Sequence, residues 1–148
     1  MALDDIAVFD SCPVDDRLCT FEDPSMCNYV NDHSTQYNWT RTTGDEHIIS
    51  ASKPLTDHTD DTSNGGYMIV DISQSSSTTI NQRARLVSPA ITPNGEQCVE
   101  FWYYSDADSL SSSSKLSVYI RPVSQTSTAS NYLIWSKNMR QVYDWFFE

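Results

Sequence analysis

The sequence predicts an all-β protein, built as an antiparallel two-sheet β-sandwich or a jelly roll. Short segments rich in β-branched and aromatic residues alternate apolar and polar positions, which is typical of half-buried strands. Clusters of Ser, Thr, Asn, Asp and Gly separate these segments, and no stretch of helical length repeats apolar residues every 3.6 positions. Many strands joined by polar turns favour two packed antiparallel sheets.

The strand pattern recurs along the whole chain. The predicted strands lie at residues 6–9, 37–42, 67–71, 84–87, 98–104, 115–121 and 132–136. Polar loops are predicted at 57–66, 73–79, 92–96, 105–114 and 124–131. The Ser-rich loops are short and flanked by good strands, so surface loops explain them better than O-glycosylated linkers do.

The segment at 98–104 carries large rings on both faces. Alternation places Phe101 and Tyr103 on one face and Trp102 and Tyr104 on the other. A strand with two apolar faces is expected inside a sheet, and a packed sheet accounts for these rings without a cofactor.

The segment at 115–121 has a different pattern. Alternation places Leu116, Val118 and Ile120 on one face, while Tyr119 shares the other face with polar residues. This arrangement predicts a strand with its Leu116 face in the core and its other face in water.

The length and charge of the chain limit its function. Its 148 residues suffice for one domain with a core. The formal net charge is −11 and the nine Lys and Arg residues are scattered. Without a basic patch, nucleic acid and anionic membrane surfaces are excluded as partners.

The chain has four cysteines, at Cys12, Cys19, Cys27 and Cys98. No CxxC pair occurs, so the pattern favours disulfides over zinc ligands or free thiols. Disulfides indicate an oxidising, extracellular location.

Two further features concern secretion. Asn38-Trp39-Thr40 is an N-glycosylation acceptor sequence, with Asn38 as the site. No stretch approaches the roughly 20 apolar residues that span a bilayer, so this segment is not expected to insert into a membrane. The N-terminus is acidic where a signal peptide is basic, so we expect any targeting signal to lie outside this chain.

An ordered series of motifs runs from residue 19 to residue 145. It consists of Cys19-Thr20-Phe21-Glu22 with Cys27, Tyr37-Asn38-Trp39-Thr40-Arg41, Pro54 with Asp57-His58-Thr59, Gly66-Tyr67-Met68-Ile69-Val70, Ala84-Arg85-Leu86-Val87-Ser88-Pro89, Cys98-Val99-Glu100-Phe101-Trp102-Tyr103, Leu116-Ser117-Val118-Tyr119, Leu133-Ile134-Trp135 and Trp145. In this order the series resembles the MAM domain, the module named from meprin, the A5 neuropilin-type receptor and receptor tyrosine phosphatase mu. The resemblance implies a concanavalin A-like jelly roll.

The chain departs from the MAM pattern at its ends. A MAM domain closes with a segment of the type iAlDDI and a last cysteine, whereas here Ala2-Leu3-Asp4-Asp5-Ile6 and Cys12 stand at the beginning. We therefore expect residues 1–12 to be the closing strand of a preceding MAM domain in a tandem array, 13–18 a linker, and 19–148 a MAM domain lacking its C-terminal strands. Alternatively, residues 1–12 dock at the edge of this domain as a substitute last strand.

The same resemblance implies the disulfides. Cys19 is expected to pair with Cys27. The other family bridge joins the position of Cys98 to the final cysteine, which is absent unless Cys12 replaces it. In a tandem array, Cys12 would instead pair backwards and leave Cys98 single.

The resemblance also implies a cation site, with Ca²⁺ as the expected ion. The matching carboxylates are Glu22 and Asp57, joined by Asp5 or Asp4 if the N-terminal segment docks. Calcium takes about six to eight oxygen ligands, so carboxylates suit it. The alternative is that these acids are solvated or cap turns.

No catalytic motif is evident. His58 lies in an acidic run that lacks the glycine and distal glutamate of an EF-hand, and the histidines form no HExxH pair. No GxSxG is present either. We therefore expect no catalytic residues.

The function expected from these features is adhesion or recognition. We predict a non-catalytic extracellular module that contacts other proteins or itself, within a multidomain secreted or membrane-anchored protein. A lectin-like glycan-binding module is the first alternative, with residues 104–108 as its candidate site. An accessory or oligomerisation domain of an ectoenzyme is the second.

Overall fold

A computed structural model describes residues 1–9, 18–46, 53–71, 82–93, 95–106, 114–123, 130–140 and 144–148. Within these ranges the regular structure consists of strands and one short 3₁₀ turn at Met26–Asn28. The strands are β1 (Ala2–Phe9), β2 (Val30–Asn31), β3 (Thr40–Thr43), β4 (Gly66–Ile69), β5 (Leu86–Val87), β6 (Cys98–Tyr104), β7 (Lys115–Ile120), β8 (Tyr132–Asn138) and β9 (Phe146–Phe147).

The strands form antiparallel sheets. The largest has the order β3-β4-β1-β6-β9, and two smaller sheets pair β2 with β5 and β7 with β8. Strand β6 lies inside the large sheet, as its two apolar faces predict. The predicted all-β antiparallel sandwich of jelly-roll type is confirmed.

The N-terminal strand β1 lies in the interior of the large sheet. Leu3 is opposite Met68 of β4 on one side and opposite Tyr103 of β6 on the other. Ala2, Leu3, Ala7 and Val8 are buried. Residues 1–9 are therefore integrated into the fold. They form an interior strand between β4 and β6, not an edge strand.

The core lies between the large sheet and the β7–β8 pair. Phe101 and Tyr103 of β6 pack with Leu116 of β7 and with Met139, which follows β8. The rings of Phe101 and Trp135 meet edge to face, with centroids 5.2 Å apart. Burial of each large side chain contributes roughly 1.5–3 kcal/mol.

The disulfide between Cys19 and Cys27 is present, as the MAM resemblance implies. Cys98 is also disulfide-bonded, so it is not single. Cys12 lies outside the described residues, and a bridge between Cys12 and Cys98 stays a prediction.

Strand β3 begins at Thr40, later than the predicted start at residue 37. The amide of Asn31 explains the delay, because its oxygen accepts the N–H of Trp39 at 2.7 Å and its nitrogen donates to the Trp39 carbonyl at 2.8 Å. The backbone of Trp39 is thus satisfied by a side chain instead of a strand ladder. Tyr37 pairs with Ala84 in an isolated parallel bridge and belongs to no strand.

The prediction that Ile120 faces the core was wrong. The pairing of β7 with β8 shifts by one residue between Val118 and Tyr119, which is a β-bulge. The extra residue of the bulge lies in β8, so the alternation within β7 is intact. Leu116 is buried and Val118 packs against the core, whereas Tyr119 and Ile120 are 53% and 54% exposed, so this end of the pair lies outside the core. The remaining differences are at strand ends and in β2 and β9, which are too short to show a period of two.

Candidate functional site

The candidate site begins at a bulge in β1. The register of β1 against β6 shifts between Asp4 and Ala7, and Asp5 has a φ of 48°. Consecutive side chains of a regular strand point to opposite faces, but a bulge can re-aim one of them. Asp4 and Asp5 consequently both reach the loop that begins at Asp57.

Both aspartates of β1 bind His58 and its neighbour. The backbone N–H of His58 donates to Oδ2 of Asp4 at 2.8 Å. Nδ1 of His58 lies 2.6 Å from Oδ2 of Asp5, and the hydroxyl of Thr59 donates to Oδ1 of Asp5 at 2.7 Å. These contacts fasten the N-terminal strand to the loop at 57–62.

Asp57 shapes this loop from within. Its side chain is 1% exposed, and its carboxylate accepts the backbone N–H groups of Asp60 at 2.7 Å and Thr62 at 2.8 Å. Gly65 makes room for it, because a Cβ at that position would lie 2.1 Å from Oδ1 of Asp57. Asp57 therefore acts as a turn cap.

Glu22 approaches the same region from the first motif. Its Oε1 accepts the backbone N–H of Gly66 at 3.0 Å. Burial raises the pKa of Glu22, the Gly66 N–H opposes that shift, and the negative charges of Asp57 and Asp60 add to it. Glu22 and Asp57 are thus electrostatically coupled.

Asp4 is the most buried of the four acids. It is fully buried, and burial raises its pKa to about 8 from an ordinary 3.8. The N–H groups of His58 and Asp5 oppose this shift, while the charges of Asp5 and Asp57 increase it. The four carboxylates expected from the sequence therefore belong to one electrostatic neighbourhood.

The arrangement of these four acids leaves calcium binding untested. Carboxylates are suitable ligands for a hard cation. However, each of these four acids already accepts at least one hydrogen bond from the protein. In the described part of the chain, no group of three or more His, Cys, Asp or Glu is placed to hold a metal ion. Calcium binding therefore stays a prediction.

An open pocket of about 310 Å³ lies beside the aspartate–histidine contacts. The ring of His58 stacks on Trp102 with centroids 3.7 Å apart. Nε1 of Trp145 donates to the carbonyl of Thr56 at 3.1 Å, which fixes the second indole. The pocket is lined by Asp57, His58, Asp61, Trp102, Asp144 and Trp145.

The sequence did not reveal this pocket. The alternation of β6 predicts a core position for Trp102, whereas the structure leaves it half-buried in contact with His58. The acids and the histidine at 57–61 indicate a polar site. The sequence around them does not show that Trp102 and Trp145, which are distant along the chain, contact this loop.

The remaining predicted positions lie elsewhere. Asn38 is exposed beside the buried Trp39, so the acceptor amide is accessible, and its glycosylation stays a prediction. Tyr104 is half-buried, and its ring lies 6.2 Å from that of Trp145. Residues 107 and 108 of the proposed glycan site lie outside the described residues.

Comparison with known proteins identifies the family. The family model of the MAM domain, meprin/A5/mu, matches residues 19–147. The chain belongs to the MAM family. MAM domains are extracellular, generally non-catalytic modules of multidomain proteins, and they act in protein interactions. Strand β1, which completes the large sheet, precedes the matched MAM segment.

The relatives of this MAM chain are longer proteins. It is 33% identical over 93 residues to the MAM domain-containing glycosylphosphatidylinositol anchor protein 1 of Homo sapiens, and the match covers 60% of this chain and 9% of that protein. The Gallus gallus protein of the same name is 30% identical over 94 residues, covering 60% and 10%. The chain thus spans about a tenth of these relatives. No solved structure matches it.

The described part of this MAM chain has no helix that is long and apolar enough to cross a membrane.

Proposed function

We propose that this MAM chain is a non-catalytic adhesion or recognition module of a multidomain cell-surface or secreted protein. One observation supports the proposal most directly, namely the exposed apolar end of the β7–β8 pair. The residues of this end, which we call the hairpin surface, are Tyr119, Ile120, Tyr132, Leu133 and Ile134, and each is about half exposed. Grouped apolar residues on a surface mark sites of protein contact.

The hairpin surface is held by a buried base. Leu116 near the start of β7 is buried, and Trp135 of β8 packs on Phe101 and Tyr103. Tyr119 is opposite Leu133, and Ile120 is opposite Tyr132, so the exposed residues form cross-strand pairs. Because paired strands fix the backbone that carries these residues, binding to a partner orders only their side chains.

The first partner to test is a second copy of this chain. In sedimentation velocity, the mean mass should rise with concentration, and Leu133→Ser should weaken the association at least about fivefold because it removes apolar area from the contact. Leu55→Ser is the matched control, since Leu55 is 78% exposed outside the hairpin surface. A wild-type monomer at every concentration, or equal effects of both substitutions, would contradict self-contact through this surface.

Glycan binding and an accessory role in an ectoenzyme remain alternatives. Saturable binding to an immobilised glycan panel, without protein self-contact, would favour the lectin-like module.

We further propose that β1 serves as the substitute last strand of this domain, and that the module binds calcium near the acids that β1 brings to the loop. The first proposal is supported by the interior position of β1. The second is supported by the coupling of Asp4 to Asp5 and Asp57, because a cation would offset their mutual repulsion.

A further inference from the structure

The pocket beside His58 shares no residue with the hairpin surface. We propose that it binds a cationic side chain of a partner protein, with arginine preferred over lysine. This inference rests on the proposed function, since it specifies the chemistry of the partner that such a module would recognise. It concerns a different surface, so the two can fail separately.

The pocket is rich in hydrogen-bond acceptors. Oδ1 of Asp61 accepts the hydroxyl of Thr56 at 3.0 Å, and Oδ1 of Asp144 accepts the N–H of Trp145 at 2.8 Å. Among the described residues, no hydrogen bond reaches the second oxygen of either carboxylate. The described residues of the lining include no Lys or Arg, and the whole chain has a net charge of −11.

Two of the side-chain donors in the described lining are already engaged. Nε1 of Trp145 donates to the carbonyl of Thr56, and Nδ1 of His58 faces the carboxylate of Asp5. Guanidinium and ammonium groups only donate hydrogen bonds, whereas a sugar hydroxyl both donates and accepts. An acceptor-rich pocket therefore suits a cationic side chain better than a neutral glycan.

The aromatic walls favour the same ligand. Indole is the best ring for binding a cation, and a planar guanidinium can also stack on it. Trp145 is fixed by its ring contacts with Tyr67 at 5.7 Å and Tyr104 at 6.2 Å. Stacked His58 already covers one face of Trp102, so Trp145 is the principal indole for the cation. Rings fixed in advance lose little freedom when a ligand binds.

Titration with small peptides tests this inference. The disulfide-intact, ¹⁵N-labelled chain is titrated with acetyl-Gly-Arg-Gly-amide and with its citrulline counterpart, which has nearly the same shape without the charge. The arginine peptide should shift the indole N–H signals of Trp102 and Trp145 saturably at low salt. The lysine peptide should bind more weakly, and high salt should weaken both.

Matched variants separate the pocket from the overall charge. Asp61→Asn and Asp144→Asn should each weaken arginine binding about three- to fivefold. Asparagine tolerates the positive φ of 53° at position 61, so the loop is preserved. Glu96→Gln, at an exposed position that does not line the pocket, should leave binding unchanged.

Several outcomes would overturn the inference. These are equal shifts with the citrulline peptide, no shift with either peptide, or equal losses in Glu96→Gln and Asp61→Asn. Saturable shifts of both indoles by a neutral oligosaccharide, without a response to arginine, would do the same. If arginine binding fails while Leu133→Ser still weakens self-association, only the pocket inference fails.

Discussion

At the scale of single residues, the neighbouring aspartates of β1 have different roles although both contact one loop. Asp4 is buried and accepts a backbone N–H from His58, whereas Asp5 holds the His58 ring and the Thr59 hydroxyl. The bulge with its positive φ at Asp5 makes this possible. The site therefore depends on one irregularity in an otherwise regular strand.

The titration of Asp4 predicts how stability depends on pH. Burial raises its pKa to about 8, so between about pH 4 and 8 the folded protein keeps a proton that the unfolded chain has released. The free energy of unfolding should therefore fall as pH rises through this range and level off above it. Urea denaturation should show a loss of more than about 1 kcal/mol between pH 5 and 8.5.

Asp4→Asn is the control for this profile. Asparagine does not ionise, so its profile should be flatter over the same range, apart from the contributions of Glu22, whose pKa is also raised, and of the buried Met1 amine, whose pKa is lowered. Stability that increases from pH 5 to 8.5, or an unchanged slope in Asp4→Asn, would refute the assignment to Asp4.

Calcium binding can be tested at the same acids. If calcium binds there, millimolar CaCl₂ should raise the melting temperature, because a ligand that binds only the folded state stabilises it by RT ln(1 + [L]/Kd). Glu22→Gln should remove this shift, whereas Asp23→Asn, at an exposed neighbouring acid, should preserve it. Identical melting with calcium and with EDTA would leave Asp57 as a turn cap and exclude the calcium proposal.

Individual residues differed in how far the sequence could predict them. The resemblance to MAM domains marked Glu22, Asp57, Asp4 and Asp5, and the structure couples them electrostatically. The sequence could not predict the stacking of His58 on Trp102. That contact depends on how the loop lies across the sheet, and a period of two within each strand carries no such information.

At the scale of elements, β1 has the strongest effect on packing. It makes ladders on both sides, with β4 and with β6, and its apolar residues enter the core. Without it, β4 and β6 would each expose an unpaired strand edge, which is prone to association with other chains.

Two leucine substitutions test the contribution of β1. Leu3→Asp should lower the free energy of unfolding by more than about 3 kcal/mol, because it places a charge at a buried position of an interior strand. Leu18→Asp, at a position that is 44% exposed, should change it by less than about 0.5 kcal/mol. Urea denaturation measures both, and similar losses would show that β1 packs no more tightly than the surface.

Strands were predictable where their pattern was long and uninterrupted. The bounds of β6 agree with the prediction because seven alternating residues fill both faces. The start of β3 was misplaced because the Asn31 side chain binds the backbone of Trp39. The inward face of Ile120 was wrong because β7 packs against the core only as far as Val118, and neither effect is visible in the local sequence.

At the scale of the whole molecule, the large sheet joins two parts of the chain. The segment that matches the MAM domain supplies β3, β4, β6 and β9, while residues 1–9 supply the strand between β4 and β6. The same strand holds the loop that forms one wall of the acidic aromatic pocket. Sheet and pocket therefore depend on one N-terminal segment.

Hydrogen exchange of the native protein tests this dependence most directly. If β1 is an integral strand, the amides of residues 2–8 should exchange as slowly as those of β6, because strands in the interior of one sheet open together. After proteolysis, mass spectrometry of separate peptides that cover residues 1–9 and residues 98–104 gives the exchange rates of β1 and β6 in one experiment. Exchange of residues 2–8 at the rate of an unfolded chain, while β6 stays protected, would contradict the account.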